Sequence, residues 1–504
     1  MRLLDLEKFN PITIQCHDNP DADTMSSGFA LYCYFKSKHK DVKLIYSGHN
    51  QINKKNMLMM KDNLHIPIEY YIQGKDEVLP GLLITVDCQY GSGNVTKLAA
   101  EQVAIIDHHP QECYDVDLCR IQTNLGSCAT LVWTMLREEG YPVKDDIDLG
   151  TALYYGLYMD TNQFAELFHP LDMDMRDALS FNQNIIMQFR YANLSLKELE
   201  IAGVALIRCN YNAKYHFAVI KVQPCDPNIL GLISDFLLQV EEIDSCIVYN
   251  ELNEGYKISI RSCTKAVKAN EMAAFLTEEI GSGGGKEDKA GGFISQKLYE
   301  EKYSGIQSET YFANQMRVFF ENYIVIRVKG GLDLSKMQKF RRKKQVLCYI
   351  KAGELGNEGE KVSLRSEVSS FDFSIGEKDY FVIDRDGSFQ EFSEEGFKTY
   401  MEEENQVPPV DYCKQLHFIP TVKYWKYGEM RPLMDFAKTC VPTEEFWVYA
   451  KRLDNCVKVV LDDDDNNYLR GMPGEYLLVG SGFNAKVNIK SEEEFLAMFE
   501  PLSL

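Results

Sequence analysis

The stretch PITIQCHDNPDADT, residues 11–24, decides the fold at the start of the chain. Its apolar run at 11–16 ends in a histidine and several carboxylates, and a helical pattern follows near 24–38. Further apolar runs and helical patterns are VKLIYS (42–47), LLITVD (82–87), VAIID (103–107), 127–139 and 148–159. Short strands that alternate with helices are typical of a parallel α/β sheet. The sequence therefore predicts an α/β domain over residues 1–190.

Four segments place possible metal ligands just past predicted elements of this domain. They are His17, Asp21 and Asp23 in HDNPDADT, Asp87 in VDC, Asp107, His108 and His109 in IDHH, and Asp160 in YMDT. In open α/β sheets the carboxyl ends of the strands form the crevice in which ligands bind, so the four segments can converge. Three of the nine histidines lie in two of these motifs, each beside carboxylates. Such grouping indicates a metal site more than a structural role.

The mixture of ligands indicates which metal the site prefers. Imidazole with carboxylate suits Mn²⁺ or a similar first-row ion, and the lack of thiolates argues against structural zinc. Phosphate hydrolysis benefits from two ions about 3.5–4 Å apart, which hold the phosphoryl oxygens and activate a water. We therefore expect two Mn²⁺ ions, for which Mg²⁺ or Co²⁺ are possible substitutes.

The motifs HDNPDAD, VDC, IDHH and YMDT, in that order, resemble the four signatures of the DHH phosphoesterase superfamily. That superfamily includes RecJ-type exonucleases, short-oligonucleotide hydrolases, cyclic-dinucleotide phosphodiesterases and manganese pyrophosphatases. The resemblance covers residues 11–190 and implies a ligand set for each metal. One ion is held by His17, Asp21 and Asp87, and the second by Asp23, Asp87, His108 and Asp160. Asp87 bridges the ions, His109 faces the substrate phosphate, and Asp107 orients the histidines.

A second, smaller α/β domain is predicted over residues 200–330. Its patterns are YHFAVIKV (215–222), a helix near 228–240, SCIVYNE (245–251), YKISIRS (256–262), a helix near 266–279 and the glycine-rich GSGGGKEDKAGG (281–292). YKISIRSC and the glycine segment together resemble the DHH-associated domain of oligonucleotide and nucleotide-phosphate hydrolases. The resemblance implies substrate contacts through Ser259, Arg261, Ser262, Gly283, Gly284, Gly285 and Lys286. Lys286 stands where the family has a histidine, and we expect it and Arg261 to bind the phosphate far from the scissile bond.

Residues beyond about 335 form a different kind of structure. The basic stretch SKMQKFRRKKQ (335–345) indicates a solvated linker or helix face and a domain boundary. A weak repeat with an offset near 100 residues follows, in which LCYIKAG (347–353), KDYFVID (378–384) and SEEGFKTYM (393–401) match WVYAKRL (447–453), GEYLLVG (474–480) and SEEEFLAMF (491–499). We predict two tandem β-rich modules at 345–404 and 405–504, each ending in a serine-capped helix. Asp462 to Asp465 are predicted to form a solvated turn.

Composition limits the partners and the location. The net charge of −21 disfavours a long nucleic-acid duplex, which is held mainly by basic surfaces. The chain has no apolar run long enough to span a membrane and no secretory pattern in MRLLDLEKFNP, and its fourteen cysteines form no CxxC pair. We expect a cytoplasmic protein with reduced thiols and no membrane partner, and a homodimer stays open.

These features predict an enzyme that hydrolyses short oligonucleotides, nucleotide 3′-phosphates or dinucleotides. Two alternatives stay open at this point. A single-strand-specific exonuclease should carry a basic and aromatic path for the strand. A non-catalytic nucleotide-binding scaffold should have lost metal ligands, yet no expected ligand position is substituted.

Overall fold

The computed structural model describes residues 1–502, except 193, 226, 265–266, 323, 329–331, 386, 405–407, 410–415, 417, 462–467 and 481–486. Asp462 to Asp465 lie outside the described residues. Among the described helices, none is long and apolar enough to cross a membrane.

The first domain is built on a six-stranded sheet in the order β3-β2-β1-β4-β5-β6, with all strands parallel. Its strands are β1 (Ile12–Gln15), β2 (Val42–Tyr46), β3 (Ile68–Tyr70), β4 (Leu79–Val86), β5 (Ala100–Asp107) and β6 (Leu118–Ile121). Its helices are α1 (Leu3–Leu6), α2 (Ala22–Ser37), α3 (Lys55–Asn63), α4 (Cys128–Glu138), α5 (Ile147–Asp160), α6 (Pro170–Ala178) and α7 (Gln183–Tyr191). The predicted parallel α/β fold is confirmed.

A close crossing of α2 and α5 brings two of the predicted ligands together. At Gly156 in α5, a Cβ atom would lie 2.2 Å from the Ser26 hydroxyl oxygen of α2, so a side chain here would separate the helices. Asp23 lies in the first turn of α2, and Asp160 is the last residue of α5. The missing side chain therefore allows both carboxylates to reach the carboxyl edge of the sheet.

The second domain contains another six-stranded sheet, in the order β11-β12-β10-β9-β8-β7. Its strands are β7 (Asn210–Asn212), β8 (Phe217–Val222), β9 (Ser245–Leu252), β10 (Gly255–Ser262), β11 (Gly281–Gly285) and β12 (Lys289–Ser295). Its helices are α8 (Leu196–Ile207), α9 (Pro227–Leu237), α10 (Ala269–Thr277), α11 (Gln296–Tyr303) and α12 (Ser308–Glu321). Only β8 and β9 pair in parallel. The predicted second α/β domain is confirmed.

The remaining strands form four sheets. They are β13 (Ile324–Arg327), β14 (Gln338–Arg342), β15 (Leu347–Lys351), β16 (Lys361–Arg365), β17 (Ser370–Ser374), β18 (Tyr380–Ile383), β19 (Phe389–Phe392), β20 (Met401–Glu404), β21 (Thr421–Tyr424), β22 (Met430–Pro432), β23 (Lys438–Pro442), β24 (Trp447–Arg452), β25 (Val457–Val460), β26 (Tyr468–Gly471), β27 (Tyr476–Gly480), β28 (Val487–Lys490) and β29 (Phe499–Pro501). The helices α13 (Glu394–Tyr400) and α14 (Glu492–Met498) begin at the serine caps Ser393 and Ser491. The β-rich C-terminal modules are confirmed.

The sheets confirm the internal repeat and show how its copies are joined. One five-stranded sheet has the order β19-β18-β15-β23-β20, and the other has the equivalent order β28-β27-β24-β14-β29. In the first module (β15–β23 with α13) the strand beside β15 is β23, which precedes the second copy in sequence. In the second module (β13, β14 and β24–β29 with α14) the strand beside β24 is β14, which precedes the first copy. The two copies have exchanged a strand.

This exchange corrects two predictions about the C-terminal region. The basic stretch at 335–345 is no linker or helix face, because β14 within it lies between β24 and β29. Its residues alternate in burial, with Phe340 and Arg342 buried, as expected for a strand with one face in a core. The modules are also not in simple tandem at 345–404 and 405–504, since β23 completes the first sheet and β13 pairs with β25.

The modules pack against both α/β domains. Arg365 of the first module donates hydrogen bonds to the Pro170 carbonyl and to Asp174, both at 2.8 Å, in the first domain. Arg470 of the second module lies 3.0 Å from Glu271 and stacks over Phe319 of the second domain. Charged contacts of this kind fix the modules on the two α/β domains.

Candidate metal centre

The predicted ligands meet where three adjacent parallel strands end. β1, β4 and β5 lie side by side in the sheet, and His17, Asp87 and His108 follow them within two residues. Asp87 adopts the left-handed region with φ of 59°. The arrangement agrees with the rule that ligands bind at the carboxyl ends of such strands.

Two groups of side chains share Asp87. His17 Nε2 lies 3.6 Å from Asp21 Oδ2 and 3.8 Å from Asp87 Oδ2. On the other side, His108 Nε2 lies 3.5 Å from Asp87 Oδ1. The two oxygens of one carboxylate therefore face different histidines, as a bridging ligand requires.

The second group is completed by carboxylates from the two crossing helices. His108 Nε2 lies 3.8 Å from Asp23 Oδ2 and 3.3 Å from Asp160 Oδ2. Asp23 is further fixed because its oxygens accept hydrogen bonds from the backbone N–H groups of Cys128 and Ala129, at 2.7 and 2.8 Å. Those two groups belong to the first turn of α4, whose N-terminus favours negative charge. Helix α4 therefore holds this carboxylate in place.

The protonation state of His108 indicates that this site can accept a cation. Its Nδ1 lies 3.0 Å from the Leu125 carbonyl oxygen, which only accepts, so Nδ1 carries the hydrogen and Nε2 presents a lone pair. Burial, together with the charge of Lys286, lowers the pKa of His108 to about 4 and keeps the ring neutral. His108 Nε2 and Asp87 Oδ1 are buried without any hydrogen-bond partner. A cation stabilises acceptors that face acceptors in a buried site.

The pKa values of the carboxylates in the cluster are shifted by burial and by the neighbouring charges. Burial raises the pKa of Asp23 and of Asp87 well above the usual range, and the neighbouring carboxylates raise both further. Burial acts in the same direction on Asp21, but the charge and hydrogen bond of His17 outweigh it and lower its pKa. Divalent cations would relieve this repulsion, so the residues present fit two metal ions.

His109 and Asp107 stand beside the cluster. Asp107 Oδ1 accepts hydrogen bonds from the His108 N–H at 2.8 Å and from His109 Nδ1 at 2.9 Å. Burial lowers the pKa of His109, yet its hydrogen bond to Asp107 and the charge of Asp107 outweigh burial and raise it overall. Gln89, which sequence reasoning missed, donates to Asp107 Oδ2 at 2.9 Å. Asp107 therefore orients His109 while its own second oxygen is fixed.

The cluster opens into a cleft between the two α/β domains. One cavity of 440 Å³, the metal-side cavity, has Asp21, Asp23 and Asp160 on one wall and Ser259 and Arg261 on the other. A second cavity of 710 Å³ has Asp107 and His109 on one wall and Gly283, Gly284 and Gly285 on the other. Gly291 lines both, so they adjoin at the second domain. The structure thus brings the metal residues and most predicted substrate residues to one cleft.

The predicted substrate residues on β10 divide by strand alternation. Successive side chains of a strand point to opposite faces, so Ser259 and Arg261 share a face and Ser262 lies on the other. Ser262 is buried and donates to the Thr264 carbonyl at 3.2 Å, and it lines neither cavity of the cleft. Arg261 is ion-paired, with Nε donating to Asp235 Oδ1 at 2.8 Å. Arg261 therefore faces the cleft with its charge largely balanced.

The glycine-rich segment is a hairpin and not a loop. β11 and β12 pair in register across it, and residues 286–288 form the turn. A Cβ atom at Gly283 would lie 2.7 Å from the Ala273 carbonyl oxygen of α10. Gly285 has φ of 142°, in the region that glycine tolerates best. Glycine is thus required here for the close packing of α10 and for the turn.

Lys286 lies in that turn, and its charge reaches the metal cluster. Its charge acts on His108, on His109 and on buried Asp172. Its backbone N–H donates to the Lys289 carbonyl at 2.8 Å, which fixes the turn. Lys289 in turn forms an ion pair with Glu166 of the first domain. This contact holds the hairpin, and with it Lys286, against the first domain.

The fold and the site define a class of protein with a parallel α/β domain that carries two carboxylate–imidazole groups joined by one aspartate. Residues 11–157 match the model of the DHH family, N-terminal domain. This region of the chain is therefore a DHH-family domain, and the resemblance predicted from the four motifs is confirmed.

Several known proteins are similar to the chain. An uncharacterized protein of Methanocaldococcus jannaschii is 22% identical over 282 residues, which is 55% of this chain and 57% of that protein. The chain therefore matches little more than half of that relative. The crystal structure of an exopolyphosphatase-related protein from Bacteroides fragilis is 18% identical, has a TM-score of 0.50 and covers 63% of this chain and 95% of its own. RecJ with Mn²⁺ from Thermus thermophilus is 12% identical, has a TM-score of 0.34 and covers 75% of this chain and 67% of its own.

Proposed function

We propose that the protein is a two-metal phosphoesterase that hydrolyses short oligonucleotides, nucleotide 3′-phosphates or dinucleotides. The observation that carries this proposal is the position of Asp87, whose two oxygens face His17 and His108 in separate ligand groups. Two bound cations lower the pKa of a water and hold phosphoryl oxygens, which is the chemistry that phosphate-ester hydrolysis needs.

The side chains around the cluster have distinct tasks in this proposal. His109, oriented through Nδ1 by Asp107, presents Nε2 to a phosphoryl oxygen of the substrate. Lys286 adds positive charge beside the same phosphate, and Arg261 with Ser259 contacts the part of the substrate beyond it. Asp23 is fixed by the first turn of α4, so the ligand geometry needs little adjustment when substrate binds.

Manganese is the proposed metal, with Mg²⁺ or Co²⁺ as substitutes. The donor atoms of the six ligand positions are imidazole nitrogens and carboxylate oxygens, a set that suits a first-row ion of intermediate hardness. Short substrates agree with the acidic charge of −21, which disfavours long duplex nucleic acid. We propose that the protein acts in the cytoplasm.

Metal-dependent hydrolysis should appear in a mass-spectrometric panel. Chelator-treated protein is supplied with Mn²⁺, Mg²⁺ or no metal and offered 3′-phosphoadenosine 5′-phosphate, dinucleotides, cyclic dinucleotides, short oligonucleotides, long single strands and pyrophosphate. We expect cleavage of one of the short nucleotides with Mn²⁺ and none without metal. A strong preference for long single strands would favour the exonuclease, and nucleotide binding without cleavage of any substrate would favour the scaffold.

Substitution of Lys286 should lower activity on every substrate. Loss of one charge-assisted hydrogen bond costs about 1.5–3 kcal/mol, or roughly ten- to 150-fold. We therefore expect Lys286→Ala to lower kcat/KM by about that factor, including for a minimal ester with only the scissile phosphate, while Mn²⁺ content stays at the wild-type level. Lys297→Ala, which removes an equal charge from an exposed side chain of α11, is the control. A loss confined to substrates with a second phosphate would instead assign Lys286 to the far phosphate.

A further inference from the structure

A third cavity continues the cleft away from the metals. It has a volume of 380 Å³ and lies between the start of α3 and the start of α8. Lys54, Leu194, Glu198 and Ile229 line both it and the metal-side cavity. A ligand that lies on Asp21 and Asp23 can therefore extend past Lys54 into this third cavity, which we call the lysine cavity.

Three lysines contribute to the wall of the lysine cavity. Lys54, Lys55 and Lys197 all line it, and Glu198 is the single acid among its lining residues. Glu198 is already engaged, because it accepts the backbone N–H of Ser195 at 2.7 Å in a capping box. Among the described residues, no carboxylate lies within ion-pair distance of any of the three lysines.

Some neighbouring lysines are paired with carboxylates, as with Lys221 and Glu251 at 2.9 Å and Lys268 and Glu287 at 2.8 Å. In a chain with a net charge of −21, Lys55 and Lys197, which have no ion pair among the described residues, make with Lys54 a local positive site in the cleft. Helix α3 begins here, and its first turn has no side-chain cap, so its free N–H groups add to the same attraction for an anion.

Apolar side chains separate Lys55 and Lys197 from the metal ligands, whereas Lys54 lines both cavities. Leu194 and Ile229 lie at the junction of the two cavities, with Met57 and Leu232 on the metal side and Ile201 on the lysine side. A nucleotide chain has the same order, because an uncharged nucleoside stands between successive phosphates. A chain of bare phosphates would place charge on these apolar side chains, which costs free energy.

We infer that Lys54, Lys55 and Lys197 bind a phosphodiester of an oligonucleotide substrate, at least one nucleotide from the scissile bond. The inference rests on the proposed phosphoesterase function and narrows its substrate to oligonucleotides long enough to reach both cavities. Mononucleotides and dinucleotides occupy the metal-side cavity alone, so activity rises with length until the lysine cavity is filled.

The double variant Lys55→Ala/Lys197→Ala tests this site and leaves Lys54, which is next to Asp21, in place. Both substituted side chains are exposed, so the fold should tolerate the change. The control is Lys75→Ala/Lys144→Ala, which removes two exposed lysines outside the cleft. We expect the ratio of kcat/KM for a pentanucleotide to that for a dinucleotide to fall about tenfold or more in the variant and to stay constant in the control. The log–log salt slope for pentanucleotide binding should become shallower by about 1.4, which corresponds to two lost single-strand contacts.

Each outcome decides a different question. An unchanged ratio in the variant, with both substrates still cleaved, overturns the lysine site and leaves the proposed function intact. If the variant loses kcat/KM for long inorganic polyphosphate relative to short polyphosphate by the same factor, the assignment of the substrate as a nucleotide chain is overturned. Absence of all hydrolysis refutes the proposed function. In that case the lysine site is tested by binding alone, measured as the anisotropy of a fluorescein-labelled pentanucleotide in EDTA. Equal affinity of the variant and the control for this pentanucleotide overturns the lysine site.

Discussion

Asp87→Asn is expected to abolish hydrolysis and to leave the fold intact. The substitution removes the one charge that faces both ligand groups, at 3.8 Å from His17 and 3.5 Å from His108. Asparagine has the same shape and tolerates the left-handed backbone at this position, where φ is 59°. Partners that merely orient ligands change metal affinity or activity by about 10- to 100-fold. We therefore expect a loss of more than about 100-fold in kcat and a lower content of bound Mn²⁺.

Asp18→Asn is the matched control for this experiment. Asp18 is one residue from His17, but its carboxylate accepts from the N–H and the hydroxyl of Thr96, at 2.8 and 2.7 Å, and belongs to neither ligand group. Turnover and Mn²⁺ content are measured on both variants, with circular dichroism as a check of folding. Near-wild-type turnover of Asp87→Asn at full Mn²⁺ occupancy would refute the two-metal site.

Asp384→Ala is expected to destabilise the C-terminal modules by about 3–5 kcal/mol, because it leaves a buried arginine without its partner. Asp384 follows β18 in the first module and accepts from Arg342 of the exchanged strand β14, at 2.6 and 2.7 Å. Only 4% of the Arg342 side chain and 9% of the Asp384 side chain are exposed, so water cannot replace the lost contact. Urea unfolding followed by tryptophan fluorescence measures the change, since Trp425 and Trp447 lie in the modules.

Glu391→Ala provides the comparison for that variant. Glu391 pairs with Lys378 in the same module at 2.8 Å, but both side chains are well exposed, and such pairs contribute about 0–1 kcal/mol. The double variant Arg342→Met/Asp384→Leu should recover most of the stability, because apolar residues can replace a buried ion pair. Equal midpoints for Asp384→Ala and Glu391→Ala would show that the pair does not hold the exchanged strand.

The sequence predicted the parallel α/β fold of the first domain well because the information there is local. Three apolar runs end at charged motifs, and parallel strands bring their carboxyl ends to one edge. The close crossing of α2 and α5 at Gly156 was not predictable, because one glycine in an apolar helix does not indicate its neighbour. Gln89 was missed for a similar reason, since its contact with Asp107 joins residues from different strand ends.

Predictions were weaker wherever the partner is distant in sequence. No sequence pattern indicated that Arg261 pairs with Asp235, which lies on another element. Lys54 and Lys197 are far apart in the chain, and only the packing of α3 near α8 brings them to one cavity. The stretch at 335–345 is basic on the face that stays exposed, and its strand character depends on β24 and β29, which lie more than 100 residues later.

The exchanged strands also set the order in which the parts of the chain can fold during synthesis. Both α/β domains are complete once residue 322 has left the ribosome, so they can fold while translation continues. β14 must then wait for β24 and β29, and β15 for β23, which gives this region a high contact order and slow folding. Until the last strand emerges, the nascent chain exposes unpaired sheet edges. These edges can pair with the same strands of another nascent chain on the polysome. The region that ties the two copies together is therefore also the one whose unpaired edges stay exposed longest during synthesis.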